Sequence, residues 1–141
     1  MDNRLEYENK GFFTIRNFFT KEQMNCVNND LERIADNNYS DMIHPHDKSD
    51  EVKRLIFDKN LNKVVSEMFG CKYEPVQSQL RYKKPKSNGF PLHQDDFWTQ
   101  AGFGNTLNVL IHVDDASKEN GCIFVYPKSH TPPFCLLMQM P

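Results

Sequence analysis

The sequence lacks a charge imbalance, a long apolar run and any closely spaced cysteines, and each shortage removes a class of function. Its 141 residues carry 17 basic and 19 acidic side chains, a formal net charge of −2. That balance offers no polybasic surface to nucleic acid and no acidic disordered tail. No apolar stretch approaches the roughly 20 residues of a membrane-crossing helix, so no membrane role is expected. The opening Met1-Asp2-Asn3-Arg4-Leu5-Glu6 has no apolar signal core, which makes the cytoplasm the expected compartment. Cys26, Cys71, Cys122 and Cys135 stand singly, none in C-x-x-C spacing. A zinc knuckle or thioredoxin-like site therefore has no support, and buried or half-buried free thiols are expected. Repeats, linkers and low-complexity tracts are missing too.

What is present is core material for one domain over residues 1–141. Hydrophobic residues make up 38% and aromatic residues 12%, including 11 Phe. A chain of this length can bury roughly 68–70% of its unfolded surface. Gly11 to Arg16 reads as a short strand. Thr20 followed by Gln23 has capping-box spacing and opens a helix to about Asp36, with Met24, Val27, Leu31 and Ile34 on one stripe. Asn37 to Asp50 reads as a loop, and Leu55 to Phe57 as a short helical or extended segment. A second marked helix runs from about Asn60 to Phe69, with Gly70 at the left-handed cap position. The period then changes. Tyr73 to Tyr82 reads as extended, Thr106 to Val113 and Cys122 to Tyr126 as strands, and Asn120-Gly121 as a turn. Helices first and strands afterwards predict an α+β fold with a largely antiparallel sheet. The apolar end from Phe134 to Pro141 reads as a further strand and suggests a core incomplete at the C-terminus.

The segment richest in possible chemistry is Pro91-Leu92-His93-Gln94-Asp95-Asp96-Phe97-Trp98. One residue separates His93 from Asp95, so in extended backbone both side chains share a face. An imidazole and a carboxylate placed this way can take two adjacent positions on one metal. With a distant second His they would form the facial triad of non-haem Fe(II) oxygenases, leaving three positions open. Taken alone the tripeptide is also an ordinary surface His beside solvated acids, a reading that Asp96 reinforces.

The surrounding motifs carry a wider resemblance. Gln77-Ser78-Gln79-Leu80-Arg81-Tyr82-Lys83-Lys84-Pro85 precedes the H-x-D segment after a short loop. Leu107 to Ala116 follows it, then Glu119-Asn120-Gly121-Cys122 and Val125-Tyr126-Pro127-Lys128-Ser129-His130. Together with Gly11-Phe12-Phe13 and Phe18-Phe19-Thr20, these resemble the phytanoyl-CoA dioxygenase-like family from about Gly11 to His130. The family's P-G-S-H signature is matched here with Lys128 in place of Gly.

The resemblance implies N-terminal helices packed on a double-stranded β-helix (jelly-roll, cupin-like) core. It also implies a dioxygenase using Fe(II), 2-oxoglutarate and O₂, which hydroxylates a small organic substrate and releases succinate and CO₂. His93 and Asp95 match the first two metal ligands. Gln94, Leu80, Tyr82 and Asn108 match positions that can line the co-substrate pocket. The family's third ligand His and an Arg that pairs with 2-oxoglutarate lie downstream of the P-x-S-H turn, beyond Pro141 in this numbering.

Other readings stay open beside it. His130 belongs to the turn signature rather than to the metal shell. His112 reads as a hydrogen-bonded core or pocket-wall residue, and His44-Pro45-His46 as a solvated pair or a second metal clip. Phe97 and Trp98 are either a substrate-pocket wall or packing. The cluster Arg81, Lys83, Lys84 and Lys86 is either a solvated loop or an attractor of anionic substrate. A non-catalytic binding protein on a degenerate oxygenase scaffold is the alternative, with self-association through open sheet edges as its partner mode. A cupin-like Zn²⁺ hydrolase or isomerase is the third.

Overall fold

The computed structural model describes residues 2–95 and 104–131. The expectations for Asp96, Phe97, Trp98, Cys135 and the strand at Phe134 to Pro141 lie outside the described residues. Backbone contacts divide the chain into two compact units, one of Ile15–Pro85 with Val113–Asp115, the other of Met1–Thr14, Lys86–His112 and Ala116–Pro141.

The first unit is helical. Helix α2 (Lys21–Ile34) opens on the expected capping box: Gln23 N donates to Thr20 Oγ1 at 3.2 Å, and Thr20 N donates to Gln23 Oε1 at 2.8 Å. It stops two residues short of Asp36. The Asp36 carboxylate accepts from the backbone N–H groups of Asn38 (3.1 Å) and Ser40 (2.8 Å), a local turn that competes with helical hydrogen bonding. Of the anticipated stripe, Val27 and Leu31 are buried while Met24 and Ile34 are half-buried. Cys26, one residue off that stripe, is exposed, as is Cys71, and Cys122 is half-buried; all three are free thiols. The expectation of buried or half-buried thiols therefore holds for Cys122 and fails for the other two.

The loop expected over 37–50 contains more order than its polar composition suggests. Strand β1 (Met42–Ile43) pairs antiparallel with β2 (Gln79–Leu80) in the register Met42↔Leu80 and Ile43↔Gln79. A 3-10 turn at Pro45–Asp47 leads into helix α3 (Asp50–Ile56). Ser49, only 1% exposed, starts that helix: its Oγ accepts from Val52 N at 3.1 Å and donates to Asp30 Oδ2 on α2 at 2.7 Å. Helix α4 (Lys59–Phe69) is capped by Asp58 and closed by Gly70 at φ +66°. That is the left-handed conformation the sequence predicts at Gly70, and a side chain there would be strained. Val27 and Leu31 of α2, Val52 and Leu55 of α3 and Val65 of α4 form the buried apolar core.

The second unit begins with helix α1 (Asn3–Lys10), where no helix was anticipated. No residue of it is buried, so packing leaves no periodic trace in its sequence. Its cues are a cap and charge pairs instead. Asp2 Oδ1 accepts from Arg4 N and Leu5 N, Arg4 pairs with Glu8, and Lys10 pairs with Glu6. Gly11, at φ +84°, is the helix C-cap, with its N–H bonded to Tyr7 O at 2.6 Å. A residue closing a helix in this way cannot also open the strand expected at Gly11 to Arg16. Farther along, a 3-10 turn (Lys118–Asn120) with a Ser117 cap occupies the expected turn, and Gly121 follows it at φ +88°.

Among the described residues, Thr106 to Val113 and Cys122 to Tyr126 join no ladder, and β1–β2 is the one strand pair. Val109, Leu110 and the run Ile123 to Tyr126 keep their apolar side chains exposed. β-propensity describes how a residue fits a pleated, half-buried surface, and it forms no strand without a partner to pair with. No helix among the described residues is long and apolar enough to cross a membrane.

Candidate metal centre

His93 and Asp95 lie in the loop that follows the Pro85 turn, and the structure brings their side chains together. His93 Nε2 stands 3.2 Å from Asp95 Oδ1, with the two side chains 33% and 45% exposed. Two donors each about 2.1 Å from a metal and at right angles to one another lie about 3.0 Å apart. The observed separation thus fits two adjacent coordination positions, open to solvent on one side.

Hydrogen bonding decides which atoms face that side. His93 Nδ1 is 2.7 Å from the Pro91 carbonyl oxygen, which can only accept, so Nδ1 carries the hydrogen. In the neutral ring this leaves the Nε2 lone pair directed at a carboxylate oxygen. Two acceptors in contact attract each other only through a cation, either a proton on Nε2 or a metal ion between them. On the carboxylate, Oδ2 accepts a hydrogen bond from the Asn108 amide Nδ2, and Oδ1 remains turned to His93. A carbonyl behind the histidine and an amide behind the carboxylate are the supports that orient metal ligands elsewhere. The chemistry of the donor set therefore fits a divalent metal ion at two of its positions. Among the described residues no group of three or more His, Cys, Asp or Glu gathers into a fuller site.

The remaining candidates are placed as follows. Asn108, expected at the co-substrate, has its amide on Asp95. The Gln94 Nε2 donates to the Ser129 carbonyl at 2.7 Å. Leu80 and Tyr82 belong to the helical unit. Leu80 is half-buried in β2, opposite Met42. The Tyr82 hydroxyl donates to Leu31 O at 3.1 Å, and its ring packs edge-on against Tyr39 with centroids 5.3 Å apart. Burial, then the nearby negative charge of Glu32, pushes the Tyr82 hydroxyl's pKa upward, so it stays a neutral donor. Beside it, burial pulls the Asp41 carboxyl upward, but hydrogen bonds from the Arg81 guanidinium and the Tyr82 amide outweigh this and leave it lowered. Arg81 is thereby committed to an ion pair at 2.7 Å.

His46 shares a 2.6 Å hydrogen bond with Ser78 Oγ, and its ring lies 5.5 Å from that of His44. His112 is exposed and outside regular structure, which corrects the core half of the core-or-pocket-wall expectation. The supports that sequence reasoning missed are the Pro91 carbonyl and the pairing of Asn108 with Asp95. The first is a backbone atom and leaves no signal in residue identity. The second joins positions 13 residues apart.

Comparison with known proteins gives this arrangement a context. The family model for phytanoyl-CoA dioxygenase (PhyH) matches residues 7–137. A phytanoyl-CoA dioxygenase domain-containing protein 1 homolog from Caenorhabditis briggsae is 31% identical over 80 residues, which are 55% of this chain and 28% of that protein. The chain thus spans less than a third of that relative's length. No solved structure matches. With the family match running from α1 through the H-x-D pair and past the P-x-S-H turn, the chain belongs to the phytanoyl-CoA dioxygenase family.

Proposed function

We propose that the chain serves an Fe(II)- and 2-oxoglutarate-dependent dioxygenase that hydroxylates a small organic substrate with release of succinate and CO₂. The observation that carries the proposal is the 3.2 Å apposition of His93 Nε2 and Asp95 Oδ1, each held from behind by its own hydrogen bond. Family membership supplies the choice of iron and 2-oxoglutarate over other divalent-metal chemistry. The unpaired apolar segments Val109–Leu110 and Ile123–Tyr126 are suitable material for the inner faces of a jelly-roll core, which we propose as the fold.

In this reading His93 presents Nε2 to the metal because the Pro91 carbonyl keeps the ring's hydrogen on Nδ1. Asp95 binds through Oδ1 alone, since Asn108 engages Oδ2. A carboxylate held monodentate leaves one more metal position free than a chelating one would. Bound iron, chelated by 2-oxoglutarate, would supply the activation of O₂ that a protein side chain cannot. Gln94 and Asn108 remain proposed for the co-substrate pocket, each also bonded to a protein group, whereas Leu80 and Tyr82 belong to the helical unit.

Anaerobic addition of Fe(II) and 2-oxoglutarate tests the proposal through the weak visible charge-transfer band of the chelate. The band is expected with a wild-type chain that also carries the downstream His and Arg the resemblance implies, and is lost from it in His93→Ala and Asp95→Ala. Its absence from that longer chain overturns the proposal. A band without substrate-dependent succinate release would instead assign the chain to the non-catalytic, ligand-holding alternative.

A further inference from the structure

The turn Pro127–His130 carries the family's signature, yet none of its atoms belongs to the metal pair. We propose that this turn is a strut between the end of α1 and the H-x-D loop, and that His130 and Gln94 are positioning residues for His93 and Asp95. The inference rests on the metal-binding reading of that pair.

Three contacts fasten the turn to α1. A helix leaves its last carbonyls without intrahelical partners, and the turn supplies two donors for them. Lys128 N donates to Lys10 O at 2.8 Å, and His130 Nε2 meets Glu8 O at 3.2 Å. A carbonyl only accepts, so Nε2 carries the hydrogen. The imidazole also lies against Tyr7, with ring centroids 5.6 Å apart and planes tilted by 53°. Close approach is possible because residue 11 has no side chain. A Cβ at Gly11 would fall 2.4 Å from His130 Nδ1 and 2.9 Å from its Cγ, below any real contact. Gly11 therefore serves twice, once for its φ of +84° and once as the floor under the His130 ring.

The other end of the strut reaches the metal pair. Ser129, between the two anchoring residues, offers its carbonyl to Gln94 Nε2 at 2.7 Å. Gln94 is the residue between His93 and Asp95, so holding its side chain restrains the short stretch of backbone that carries both neighbours. The turn is itself braced. Ser129 N bonds to Tyr126 O at 3.2 Å, and Thr131 Oγ1 donates to Lys128 O at 3.0 Å. A continuous series of contacts thus runs from Glu8 and Lys10 through the turn to Gln94.

The test is Co(II) affinity of the 141-residue chain, read from its visible d–d bands, with far-UV circular dichroism as the check on folding. His130→Ala and Gln94→Ala are each expected to weaken Co(II) binding about tenfold, the lower end for supports behind metal ligands. His130→Gln keeps a side-chain N–H for Glu8 O and should recover most of the loss. Gly11→Ala should weaken binding as His130→Ala does, and the double variant should be no weaker than His130→Ala alone. Slow hydrogen exchange at the Lys128 amide should disappear in His130→Ala. Should His130→Ala fail to fold, Gln94→Ala decides, since it leaves the α1 anchor intact. Unchanged Co(II) affinity in Gln94→Ala, with binding abolished in His93→Ala and Asp95→Ala, would overturn the strut and leave the metal reading standing. Absence of Co(II) binding by wild type would overturn both.

Discussion

At Lys128 the backbone has φ +66°, the left-handed region in which a Cβ crowds the following carbonyl. The family's usual glycine would sit there without strain, and the lysine side chain is exposed. Replacing Lys128 by Gly is expected to stabilise the chain by about 0.5–1 kcal/mol, the relief being partly offset by the freer unfolded chain. A higher urea midpoint would show it. At Asn108, truncation to Ala removes the hydrogen bond behind Asp95 without opening a core. Fe(II) or Co(II) affinity should fall about tenfold while the unfolding midpoint stays within error; equilibrium metal titration beside a urea curve separates the two effects. The proximity of His93 and Asp95 was legible because a single intervening residue keeps the two side chains within reach of one another. What holds each of them was not, since a backbone carbonyl and a distant amide are invisible to spacing rules.

Among the elements, α2 and α4 were legible because their apolar stripes and caps agree, Thr20 and Gln23 at one start and Gly70 at the other's end. Asp36 looked like a continuation of α2 and instead turned its carboxylate on its own backbone. Helix α1 was missed for the opposite reason: it buries nothing, and charge pairs plus an Asp cap hold it. Nor did composition reveal that Ser49 would be the most buried polar residue of the helical unit. Its hydroxyl starts α3 and at the same time bonds to α2. Ser49→Ala should cost about 1 kcal/mol through the lost cap alone, with α3 losing amide protection before α2 or α4. Hydrogen exchange resolved by residue, together with a thermal melt, measures both effects.

For the whole molecule, acid is the expected weakness. Asp30 is lowered by its hydrogen bond from Ser49 and then by Arg33, and Asp36 by the Ser40 amide. Asp41 is lowered once Arg81 and Tyr82 have overcome its burial. Each carboxyl holds its proton less tightly folded than unfolded, so the unfolded chain takes up more protons as the pH falls. The stability they contribute is complete above the unfolded carboxylate pKa of about 4 and is lost below it as the pH passes through the folded values. Urea midpoints should be level from pH 7 to about pH 5 and then decline, and Asp41→Asn should remove part of that decline. The order of helices before the extended segments was legible from the change of period after Gly70. The pairing of Met42 with Leu80 was not, because a two-residue ladder leaves no alternation to read.

The Pro91 carbonyl bears on how quickly the histidine becomes available. A free imidazole divides its single hydrogen between two nitrogens, and a ligand arriving at the wrong tautomer must wait for an exchange through water. Here the backbone has made that choice two residues upstream, in the same loop that sets the ring's direction. Once no proton stands between Nε2 and Asp95 Oδ1, capture of a metal by His93 requires no tautomer shift, and its rate should follow how fast the incoming ion sheds a water. A stopped-flow comparison of a rapidly exchanging ion with a slowly exchanging one, such as Mn(II) against Ni(II), would display that dependence directly.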